Sequence, residues 1–63
     1  MTATKLDAAF ALTVLAAAGL DPATASIVDM IDTIGEAIAA ARPDLNDEEI
    51  NKVADQLAFT VAR

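Results

Sequence analysis

IVDMIDTIGEAIAAA, residues 27–41, places isoleucine at 27, 31, 34 and 38, the spacing that lines one face of an α-helix. Asp29, Asp32 and Glu36 fall on the opposite face, with Thr33 beside them. Burying four isoleucines contributes roughly 6–12 kcal/mol gross, at about 1.5–3 kcal/mol each. Ordering the backbone costs about 1–2 kcal/mol per residue, so a helix of this length needs packing partners along its seam.

The preceding segment supplies one partner. Thr4 is the candidate N-cap of a first helix over residues 5–18, with Asp7 in its first turn near the positive helix end. Gly19 provides a residue able to turn left-handed, and Leu20 the returning contact of a Schellman ending. Leu6, Ala9, Phe10, Val14 and Ala17 form one apolar face of this helix; Leu12 and Leu15, with Ala8 and Ala16, form a second. Lys5 and Asp7 are the only charged residues to break the pattern, both in the first turn. A helix apolar all round is expected to be covered on both sides, more than two further helices in so short a chain can do. Leu12 and Leu15 are therefore predicted to be exposed in the isolated monomer and to contact another chain.

Asp21-Pro22 reads as N-cap and first residue of the central helix, which is expected to cover residues 22–42 and stop before Pro43. Gly35 and Ala39 make a small-xxx-small pair beside the isoleucine seam, suited to close helix approach. Asn46 with Glu49 forms a capping box that opens a third helix over residues 46–62. Ile50, Val53, Leu57 and Val61 line its inner face. Phe59 stands off that line, in the sector of Glu48, Lys52 and Arg63, and is the third candidate protein-binding residue. The predicted core is Leu6, Phe10, Val14, Ile27, Ile31, Ile34, Ile38, Ile50, Val53, Leu57 and Val61. The fold class is all-α: a small three-helix bundle with short connections, one helical domain over residues 1–63.

A chain of 63 residues buries a modest share of its surface and is marginally stable unless something reinforces it. It has no Cys and no His, which removes disulfides and the usual nitrogen and sulfur ligands for zinc, copper or haem. Association with other chains is the remaining route. Ten acidic residues against four basic ones give a net charge of −6, which argues against direct nucleic-acid binding or docking on an anionic membrane. The run from Ala8 to Leu20, followed by Ala23-Thr24-Ala25, imitates a secretion signal, but Asp7 interrupts its basic-to-apolar transition. At 13 residues the run is also short of the roughly 20 that cross a bilayer. The expected setting is cytoplasmic or inside a virion or other assembly, without secretion by a signal peptide and without membrane insertion.

Catalysis needs a nucleophile with a base, a metal, or carboxylates in contrasting environments. None of these patterns is evident. Asp29, Asp32 and Glu36 read as a solvated stripe opposite a core seam. Asp44, Asn46 and Glu48 resemble the start of a calcium loop, but its sixth and twelfth positions hold Glu49 and Asp55 where glycine and glutamate are required. There is no glycine-rich phosphate loop, and Ser26 is the sole serine. The expectation is a non-enzymatic helical interaction or structural module with no cofactor, metal or small-molecule substrate. It would act as a self-associating or docking subunit of a larger assembly, a virion or capsid accessory protein being one such case. The alternative is an acidic regulator or inhibitor of a basic partner surface, resembling an antitoxin or a nucleic-acid mimic in charge.

Overall fold

The computed structural model describes residues 5–62 and contains three helices, Ala8–Ala17 (α1), Ile27–Ala41 (α2) and Asp47–Val61 (α3). Together they form the expected small three-helix bundle, with α1 packed against both α2 and α3.

Each helix begins on a side-chain cap, though two of the three caps differ from those expected. Thr4 lies outside the described residues. The cap of α1 is Asp7, whose extended backbone lets Oδ1 accept from the Phe10 N–H at 2.9 Å. Its far end closes as expected. Gly19 takes φ +77°, the Gly19 N–H donates to the Ala16 carbonyl at 3.1 Å, and the Leu20 N–H donates to the Leu15 carbonyl at 2.8 Å. That pair of bonds is a Schellman ending, and Leu20 folds back against the core.

The start of α2 corrects the expectation of a helix from residue 22. Asp21 caps only a single turn: its Oδ1 accepts from the Ala23 N–H at 2.9 Å, and its carbonyl accepts from Thr24 and Ala25 at 3.0 and 2.7 Å. The chain then straightens at Ser26 (φ −68°, ψ 150°), whose Oγ accepts from the Asp29 N–H at 3.2 Å and starts the helix afresh. Ala25 turns onto the core at this break.

Between α2 and α3 the turn is tight. The Arg42 guanidinium donates to both carboxylate oxygens of Asp44, each at 3.0 Å. Asn46 then makes the predicted capping box with Glu49. The two long helices run back along each other, so that Gly35 faces Ile50 and Ala54.

The core is centred on Leu15, Met30, Ile34 and Ile38, with Ala11, Ala54, Leu57 and Ala58 also buried. Of the eleven predicted core residues, Ile34 and Ile38 are fully inside and Leu57 is buried. Leu6, Phe10, Ile27, Ile31, Ile50, Val53 and Val61 pack half-buried around them, and Val14 is half-buried as well. Met30, one turn before Ile34, turns the buried line of α2 slightly away from the isoleucine seam. Its flexible, unbranched side chain suits such a gap. On α3 two of the buried residues, Ala54 and Ala58, are alanines, which add little area but let helices come near.

Candidate interaction surface

Helix α1 is rotated relative to the expected packing. Ala11 and Leu15, one turn apart, form the inward line and belong to the buried core cluster, with half-buried Ala8 a turn before them. Leu15 is 0% exposed, which overturns the expectation that it would be a surface residue. The physical reason is that the seam falls between the two apolar faces instead of along one of them. Leu12 stays on the outside at 46% exposed. Around it lie Ala9, Thr13, Ala16 and Ala17, all exposed. The Thr13 hydroxyl donates to the Ala9 carbonyl at 2.9 Å, so the one polar side chain of this face is already engaged within the helix. No residue of α1 is charged.

Phe59 is exposed on α3, at 58%, as its off-line position predicts. Val28, at 63% exposed, is a third large apolar side chain at the surface, and the sequence reading did not single it out. Its only signal is register: it lies beside the isoleucine seam on the flank that carries Gly35 and Ala39. The three residues belong to three different helices.

A second feature lies on that flank. Between α2 and α3 runs an open groove of about 290 Å³. Ile31, Gly35 and Ala39 form its α2 wall, and Ile50 and Ala54 its α3 wall. Asp32 and Glu36 border it on one side, Asp47 and Asn51 on the other. Asp32 and Glu36 are exposed, as the solvated stripe requires; that they share a groove with Asp47 depends on the pairing of two helices and was not visible in one. The small-xxx-small pair explains the hollow, because Gly35 and Ala39 leave unfilled the space that larger side chains would occupy. A methyl group added at Gly35 would stand 3.8 Å from both Ala54 Cβ and Ile50 Cγ2, an ordinary contact distance.

The groove's field is acidic. Among the described residues Lys5, Arg42 and Lys52 carry positive charge, and none of them lines it. Arg42 is committed to Asp44, and the hydrogen bond between them holds the Asp44 carboxyl below its ordinary range and raises the Arg42 guanidinium. Asp44 and Asn46 are thus engaged in the turn and the helix cap, not set around a common centre. No family model matches the chain, and no curated protein or solved structure matches it significantly.

Proposed function

We propose that this chain is a non-enzymatic helical interaction module, a small subunit that docks on a larger assembly or on a second copy through the outer face of α1. The observation that carries this reading is α1 itself: ten residues without a charge, of which only Ala11 and Leu15 are fully buried. A surface helix ordinarily presents charged side chains to water. Here water meets Ala9, Leu12, Thr13, Ala16 and Ala17. A chain of this size, without cross-links, gains stability from covering such a face. A virion or capsid would be one such assembly.

The test is size and stability. In its native extract the chain should elute above monomer mass, and Leu12→Gln combined with Ala16→Gln should return it to monomer with its helical content intact. Monomeric elution of the unaltered chain in that extract would overturn the reading, and a melting temperature constant over about a hundredfold dilution would remove its self-association version.

A second reading, an acidic regulator of a basic protein surface, draws on a different observation: the groove between α2 and α3 is bordered by carboxylates and by no described cation. Salt separates the two. Docking through α1 should be nearly indifferent to ionic strength, whereas docking at the groove should weaken as salt rises.

A further inference from the structure

We infer that the α2–α3 groove is a docking site for a short basic segment of a partner protein, one that seats an aliphatic side chain in the groove and sets Lys or Arg against its rim. This rests on the second reading above and names its site and partner. Volume limits the guest. An engineered apolar cavity of about 150 Å³ holds a benzene ring, so a groove of about 290 Å³ takes one or two aliphatic side chains. It lies at the lower bound of small-molecule pockets, which start at about 300 Å³ and enclose their ligands. This one is an open trough between two helices, the form that receives a side chain carried on a peptide backbone.

Charge decides the rest of the guest's chemistry. Asp32 and Glu36 stand one turn apart on α2, about 6 Å along the axis, and Asp47 lines the groove from the first turn of α3. A guest with cations on both sides of its apolar residue would meet a carboxylate on either wall. A second copy of this chain is a poor guest, because it would bring a net charge of −6 against the same acidic rim. Nucleic acid is repelled for the same reason. The apolar lining residues Ile31, Gly35, Ala39, Ile50 and Ala54 have no polar side chain for a polar ligand, so the contact is apolar at the centre and ionic at the edge, the usual anatomy of a protein interface.

The experiment is selection from a library of random peptides displayed on phage, against the full chain, followed by amide-shift mapping of one enriched peptide on isotope-labelled protein. The expected result is enrichment of Leu, Ile or Met flanked by Lys or Arg, with shifts concentrated at Ile31, Gly35, Ala39, Ile50 and Asn51. Neutralising the rim (Asp32→Asn, Glu36→Gln and Asp47→Asn together) should weaken that peptide about tenfold, since exposed ion pairs contribute modestly each. Ala39→Leu, which occupies the groove from an exposed position, should abolish binding while the far-ultraviolet spectrum stays helical. Enrichment of acidic or uncharged peptides, no enrichment at all, or binding indifferent to Ala39→Leu would overturn the proposal. Shifts confined to Ala9, Leu12 and Ala16 would also overturn it, yet leave the docking role of α1 standing.

Discussion

Gly19 and Gly35 do opposite jobs in the backbone. Gly19 ends α1 with φ at +77° and nothing within 4 Å of where a Cβ would be, whereas Gly35 is helical in the middle of α2 with Ala54 and Ile50 beside it. The first glycine is required by conformation and has ample room. The second has no conformational need and only ordinary contacts around it. What Gly35 does create, with Ala39, is the hollow between α2 and α3.

Alanine at these two positions should therefore move stability in opposite directions. Gly19→Ala forces a side chain into the left-handed region and should cost about 1–2 kcal/mol. Gly35→Ala removes the helix penalty of glycine and should gain up to about 1 kcal/mol. Urea unfolding followed by circular dichroism reads both. A loss at Gly35 would show that the 3.8 Å spacing to Ala54 is already at its limit.

The capping box of α3 makes a graded prediction. Asn46 Oδ1 accepts from the Glu49 N–H at 2.8 Å, while the return bond from the Asn46 N–H to Glu49 Oε1 is 3.4 Å. The short bond is the strong one. Asn46→Ala should cost about 1 kcal/mol, within the 0.5–2 kcal/mol span of such caps, and Glu49→Ala clearly less. Equal losses at both positions would mean that the long bond tightens in solution.

The bundle was legible because strong local signals agreed: the isoleucine spacing of α2, the Asn46–Glu49 box and the Gly19 ending all appear in the structure. The start of α2 was not, because Asp21-Pro22 and Ser26 are both competent caps five residues apart, and the nearer one spends itself on a single turn. Ser26 with Asp29 three residues on was the available cue. The surface of α1 was half legible. Its uniform apolarity gives no phase, so only packing against α2 and α3 decides that Leu15 goes inward and Leu12 outward. The groove was illegible for a related reason, since its two walls come from different helices.

Acid should loosen the turn between α2 and α3 in a defined direction. The hydrogen bond from Arg42 holds the Asp44 carboxyl below its usual range, so its folded pKa lies under the unfolded value of about 3.9. A group shifted down contributes stability that is fully present above the unfolded value and is lost as pH falls through the folded one. Arg42 stays charged throughout and adds no pH dependence of its own. Stability should thus decline on acidification below about pH 4, and Asp44→Asn should show a smaller decline than the unaltered chain. Urea midpoints at neutral and acid pH test this; identical acid losses in both proteins would mean the pair contributes nothing.

The sharpest contrast lies within α1. Leu15 is wholly enclosed and Leu12 nearly half exposed, although they are three residues apart on a helix without a charge. Truncating Leu15 to Ala should cost about 2–5 kcal/mol, the range for large core side chains that leave a cavity, and Ile34→Ala should cost a similar amount. Either loss is large for a chain whose largest fully buried side chains, among the described residues, are Leu15, Met30, Ile34 and Ile38. Leu12→Gln should change monomer stability by less than about 0.5 kcal/mol, as exposed substitutions do, while removing the apolar centre of the outer face. Denaturant unfolding and light scattering on the same samples separate the two effects. Leu15→Ala should shift the unfolding midpoint at every protein concentration. Leu12→Gln should leave the dilute midpoint alone and lower only the mass and the concentration dependence of melting. If Leu12→Gln unfolds the dilute monomer, the outer face of α1 is part of the bundle's own packing and no docking face remains there. If it folds and still assembles, association runs through another surface.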